Sequence, residues 1–118
     1  MKTKIVIIGS TGKLGIKLLN YCKKSQINVF CITCFKNFKL LKKQSLNYNI
    51  RNCFVLSKEH EKKSFSQFLN SHSIDLIYFL DYGYSSLKYA KIFLKNNKFS
   101  QIAIANKEMI IAGGSTLI

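Results

Sequence analysis

Five short apolar runs, separated by longer stretches of helical periodicity, leave this chain few ways to fold. Lys4–Ile8 is a β-branched run that ends at a glycine, and Asn28–Thr33, Cys53–Leu56, Leu76–Leu80 and Gln101–Ala105 are further runs of strand length. Between them the spacing changes. Leu14–Lys23 carries Leu14, Leu18, Leu19 and Cys22, and Phe38–Tyr48 carries Phe38, Leu41, Leu46 and Tyr48 amid lysines. Glu61–Ser71 holds Phe65, Phe68 and Leu69, and Ser85–Lys95 holds Leu87, Ala90, Phe93 and Leu94. Each set predicts a helix with one apolar face. A last helix is expected from Lys107, weakened by Gly113–Gly114. Strict alternation of strand and helix predicts a parallel sheet with helices on both faces. Right-handed crossovers then make it a doubly wound, Rossmann-like α/β fold in three αβα layers. At 118 residues the chain reads as one domain, 1–118.

The first strand runs into Gly9-Ser10-Thr11-Gly12-Lys13-Leu14-Gly15, a G-x-x-G-x-x-G loop that opens the first helix. In a dinucleotide fingerprint the first glycine permits the tight turn, the second lets backbone approach a pyrophosphate, and the third lets helix and strand pack closely. Free amides at the helix start then favour phosphate. A Walker loop requires Lys followed by Ser or Thr, whereas Leu14 follows Lys13, so ATP hydrolysis is disfavoured.

NAD-binding domains place an acid after the second strand to hold the ribose 2′-hydroxyl. Here the first acid in the chain is Glu59, and the second strand leads into Phe35-Lys36-Asn37. A cation there suits a 2′-phosphate that a carboxylate would repel, which points to NADPH rather than NADH.

The remaining features narrow the function by exclusion. Nineteen Lys and Arg against five Asp and Glu make a net charge of +14, which suggests an anionic partner. The lysines are spread from Lys2 to Lys107, alongside abundant Asn, Ile, Phe and Tyr and no Pro, as drift toward A- and T-rich codons would produce. That spread fits drift better than a designed nucleic-acid face, and no nucleic-acid partner is expected. No signal peptide and no run of membrane-spanning length is visible, so a cytoplasmic protein is expected. Cys31 and Cys34 form C-x-x-C, but residues three apart on a strand point to opposite faces, so buried thiols are expected instead of a metal or redox pair. His60 and His72 read as surface residues, and no Ser-His-Asp set or paired carboxylates suggest hydrolysis.

Two separated motifs resemble one family. Gly9-Ser10-Thr11-Gly12-Lys13-Leu14-Gly15 is similar to the G-S-T-G-S-I-G opening of the 1-deoxy-D-xylulose 5-phosphate reductoisomerases, and Ala105-Asn106-Lys107-Glu108 resembles their A-N-K-E motif after the fifth strand. Phe35-Lys36-Asn37 falls where that family has G-K-N or N-K-N. The resemblance implies an isoprenoid-precursor enzyme that rearranges 1-deoxy-D-xylulose 5-phosphate and reduces the product with NADPH to 2-C-methyl-D-erythritol 4-phosphate. It implies Mg or Mn and a homodimer. Thr11, Gly12, Lys13 and Leu14 would meet the cofactor phosphates, and Phe35, Lys36 and Asn37 the adenosine phosphate. Asn106 and Glu108 would face the nicotinamide, and Lys107 the substrate.

Several residues depart from the family pattern. Lys13 replaces a Ser, Phe35 replaces a small residue and would narrow the adenosine pocket, and Tyr82 and Tyr84 stand in a segment where the family has small residues beside the cofactor. The family's metal-binding carboxylates, catalytic loop and dimer-forming parts lie downstream of these motifs. The chain is therefore expected to end where a larger protein continues, to hold no catalytic or metal-ligating residue, and to be inactive by itself. The competing reading is a non-catalytic dinucleotide sensor of the atypical short-chain dehydrogenase type. Its Tyr-x-x-x-Lys pair would be Tyr84 and Lys88, which come too early in the fold.

Overall fold

A computed structural model of the chain describes residues 3–80 together with the backbone of a strand at 101–104. In chain order the elements are β1 (Ile5–Ile8), α1 (Lys13–Lys24), β2 (Cys31–Cys34), α2 (Phe38–Asn47), β3 (Asn52–Val55), α3 (Glu59–Ser71), β4 (Leu76–Phe79) and β5 (Gln101–Ile104). The helix predicted over 85–95 and the one from Lys107 lie outside the described residues.

All strand pairings are parallel, in the order β3-β2-β1-β4-β5. The predicted Rossmann-like fold is therefore the observed one, with β1 central and its neighbours reached by crossovers in opposite directions. Ile8 is paired with Thr33 on one side and Phe79 on the other, so the loops after β1, β2 and β4 open at the same edge. This reversal of strand order is where doubly wound sheets bind ligands.

Two apolar layers sandwich the sheet. Val6, Ile8, Cys31, Ile77 and Phe79 face α3, where Phe65, Phe68 and Leu69 complete a cluster tiled by aromatic contacts to Phe30 and Phe54. Ile5, Ile7, Ile32, Cys34 and Val55 face α1 and α2, meeting Leu19 and Leu41. β1 and β2 are buried on both faces, which is why their sequences are unbroken apolar runs. As expected, Cys31 and Cys34 lie on opposite faces. Burial pushes the Cys31 thiol well above its ordinary pKa, with a smaller push from nearby Cys53.

Some helical faces differ from the periodic reading. The buried stripe of α1 is Gly15, Leu19 and Cys22, while Leu14 is 46% exposed. In α2 only Leu41 of the predicted apolar set is fully buried, with Tyr48 half-buried. Phe38 is 50% and Leu46 75% exposed, and Gln44 takes the buried place one turn after Leu41. Leu46 sits five residues past Leu41, which turns it to the far side of the helix. β2 starts at Cys31 rather than Asn28, although the Phe30 amide already donates to the Ile5 carbonyl at 2.8 Å. His72 is half-buried rather than superficial: its ring tilts against Phe68 at 4.4 Å and meets Phe30 edge-on. Among the described residues no helix is long and apolar enough to cross a membrane.

Candidate dinucleotide cleft

The turn after β1 is shaped by its first glycine. Gly9 has φ 94°, a conformation that side chains disfavour. The turn is tied to the end of β2, because the Gly9 and Ser10 amides both donate to the Thr33 carbonyl, at 3.1 and 2.9 Å. The chain then enters α1 directly over this turn. A Cβ on Gly15 would collide with the Gly9 carbonyl and stand 2.5 Å from Ser10 Cα, so the third glycine is required for the helix to lie this close. Gly12 is different. It caps α1 with ordinary φ, and a Cβ there would find nothing closer than the Gly9 carbonyl oxygen at 3.8 Å. Among the described residues nothing demands glycine at position 12. Its missing side chain leaves open the surface where the helix presents its unpaired amides.

The turn after β2 is built from side chains. Phe35 is 46% exposed, and the Lys36 ammonium lies over its ring, 5.8 Å from the centroid. Asn37 caps α2: its side-chain oxygen accepts the Leu40 amide at 3.2 Å. Behind this turn the Leu56 and Ser57 amides donate to the Cys34 and Phe35 carbonyls at 2.8 and 3.0 Å, which fastens it to the β3 turn.

These two turns border one cleft of about 700 Å³ at the carboxyl edge of the sheet, a volume suited to a cofactor. Every predicted cofactor residue within the described part lines it: Thr11, Gly12, Lys13 and Leu14 from one side, and Phe35, Lys36 and Asn37 from the other. Asn106, Glu108 and Lys107 lie outside the described residues, as do Tyr82, Tyr84 and Lys88. Leu80, which opens the segment where the family has small residues beside the cofactor, also lines the cleft, as does Lys17, which went unrecognised in the sequence. Lys17 lies one helical turn beyond Lys13, where i, i+4 spacing offered a signal.

Among the described residues the lining carries Lys13, Lys17 and Lys36 and no acid. The first turn of α1 has no acidic residue either, so its positive dipole end is not neutralised from within. Such a surface can hold phosphate through backbone amides and ammonium groups together. The described acids are engaged elsewhere: Glu59 pairs with Lys62 at 3.5 Å, Glu61 accepts the Val55 amide at 2.9 Å, and Asp75 accepts the Lys4 amide at 2.7 Å. Among the described residues no three His, Cys, Asp or Glu side chains converge as a metal site would require.

Comparison with known proteins agrees with the fold. Residues 5–91 match the family model described as 1-deoxy-D-xylulose 5-phosphate reductoisomerase. The chain is 36% identical over 130 residues to the 1-deoxy-D-xylulose 5-phosphate reductoisomerase of Pelagibacter ubique, covering 93% of this chain and 33% of that protein. It is 29% identical over 121 residues to the enzyme of the same name from Thermotoga maritima, covering 93% and 32% respectively. Among solved structures it is similar in fold to the Zymomonas mobilis enzyme in complex with NADPH, with a TM-score of 0.73 at 16% identity, over 92% of this chain and 33% of the other. The chain thus spans about a third of the length of the relatives it matches.

Proposed function

The chain belongs to the 1-deoxy-D-xylulose 5-phosphate reductoisomerase family, and on that premise we propose that residues 1–118 form its NADPH-binding domain. One observation carries the reading: the glycine turn and the Phe35–Asn37 turn line a single cleft to which the described residues bring three lysines and no carboxylate. In this reading the amides at the start of α1, with Lys13, hold the pyrophosphate. Lys36 meets the 2′-phosphate, and the exposed Phe35 ring offers a flat face for the adenine. Gly12 supplies the room for close approach. When bound, the cofactor supplies the hydride.

The finer assignments rest on the family. Asn106 and Glu108 would border the nicotinamide, and Lys107 would hold a phosphorylated substrate as a point charge. The full reaction would be conversion of 1-deoxy-D-xylulose 5-phosphate to 2-C-methyl-D-erythritol 4-phosphate in isoprenoid biosynthesis, by a cytoplasmic homodimer using Mg or Mn. The described residues offer no donor set for that metal, so no step of the chemistry is assigned to them. The two-thirds of the relatives' length that this chain does not span would carry the catalytic and metal sites, and the chain alone would bind cofactor without turning over substrate. The family match does not favour the short-chain sensor alternative.

Addition of NADPH to isotopically labelled protein tests the site. The amide resonances of Thr11–Leu14 and Phe35–Asn37 are expected to shift together. Shifts confined to the amide-lined hollow at Gln26, Asn47 and Asn49, elsewhere on the surface, would contradict the assignment.

A further inference from the structure

Gln44 is a polar residue in a lysine-rich helix, yet it is only 4% exposed. Burying an amide is costly unless its hydrogen bonds are met. Here both ends are met by one residue. Gln44 Oε1 accepts from Ser10 Oγ at 2.8 Å, and Gln44 Nε2 donates to the Ser10 carbonyl at 2.8 Å. Ser10 itself is fully buried, and its hydroxyl also approaches the Thr33 carbonyl at 3.3 Å. A leucine would fill such a place in an ordinary core. The side chain instead reaches across 34 residues of sequence to grip the glycine turn from behind.

We infer that Gln44 is a positioning residue that aims the Thr11 amide at the cofactor's pyrophosphate; the inference rests on the dinucleotide reading given above. The geometry is that of one peptide plane. In a trans peptide the carbonyl of Ser10 and the N–H of Thr11 point in opposite directions. Gln44 holds the carbonyl toward α2, so the Thr11 N–H is turned away from α2, and Thr11 lines the cleft. Donation into the carbonyl also polarises the same peptide, strengthening its N–H as a donor. The opposite end of α2 carries Asn37 as its cap, directly after Lys36. Gln44 therefore sets the phosphate turn in register with the turn that meets the 2′-phosphate, through one rigid helix.

Two probes separate aiming from general support. NADP⁺ spans both turns, whereas adenosine 2′-monophosphate lacks the pyrophosphate and reaches only the Lys36 side. Gln44→Leu is expected to weaken NADP⁺ about tenfold and to leave adenosine 2′-monophosphate within about twofold of wild type. Gln44→Glu adds a signature that a purely structural role would not give. A protonated carboxyl offers one donor and one acceptor, as the amide does, and an ionised one offers no donor. Burial raises the pKa of such a carboxyl. The ratio of wild-type to Gln44→Glu affinity for NADP⁺ is therefore expected to be large at about pH 8 and to approach unity toward about pH 5.5. Equal losses for both ligands, no loss for either, or a Gln44→Glu deficit independent of pH would overturn the inference. Should Gln44→Leu prove unfolded by circular dichroism, the Gln44→Glu ratio decides alone. Wild-type protein that binds neither ligand would overturn the cofactor reading and this inference with it; the other contrary outcomes overturn only this one.

Discussion

The two turns that border the cleft are made in different ways. The turn after β1 is held by backbone and buried polar contacts: Gly9 at positive φ, two amides on the Thr33 carbonyl, and the reciprocal Ser10–Gln44 pair. Its shape is part of the fold. The turn after β2 shows Phe35, Lys36 and Asn37 to solvent, and of the three only Asn37 has a side-chain hydrogen bond that serves the fold. The contrast teaches where stability and selectivity are stored. On the proposed reading, phosphate recognition that every dinucleotide needs would be written into the first turn, and discrimination between cofactors would be left to exchangeable side chains on the second. Changes at Gly9, Ser10 or Gly15 should cost folding, and changes at Phe35 or Lys36 should cost specificity.

Gly15→Ala puts the contrast under the greatest stress. The added methyl meets backbone of Gly9 and Ser10 that the surrounding bonds do not let move. Thermal denaturation should show a loss of about 2–3 kcal/mol, despite the better helix propensity of alanine. A variant as stable as wild type would mean that the turn is not held as tightly as described. Asn37→Ala comes next. Loss of the cap should cost about 1 kcal/mol, a fall of roughly 4 °C in Tm. No change in Tm would show that even this side chain serves ligand alone. Gly12→Ala is the smallest in stability and the most informative within the glycine set. Its Tm should stay within about 2 °C of wild type, because the new methyl meets only ordinary contacts, while cofactor affinity drops as the methyl intrudes on the pyrophosphate. Lost stability with unchanged binding would reverse the roles assigned to Gly12 and Gly15.

How much of this could be read from the sequence depended on the range of the interactions involved. β1, its glycine turn and the alternation of strands with helices are local: β-branched runs, glycine spacing and helical periodicity suffice. The clustering of Thr11–Leu14 with Phe35–Asn37 also followed, because parallel strands with right-handed crossovers carry both turns to one edge. Gln44 was illegible. Among Lys42, Lys43 and Asn47 it looks like another solvated residue until α2 is laid against Ser10. His72 was misread for the same reason, since Phe30, whose ring meets it edge-on, lies far from it in sequence. Leu14 and Leu46 went the other way. Their apolar character counted toward a buried face, yet Leu14 borders the cleft and Leu46 points outward.

Cofactor selectivity tests the central claim most directly. NADPH and NADH are titrated by fluorescence into wild-type protein and into Lys36→Ala. NADPH is expected to bind wild type more tightly than NADH. Lys36→Ala should weaken NADPH about fivefold, which corresponds to roughly 1 kcal/mol for an exposed charge-assisted contact, and leave NADH unchanged. Equal affinity of wild type for the two cofactors, or a Lys36→Ala variant that binds NADPH as well as wild type, would contradict the claim.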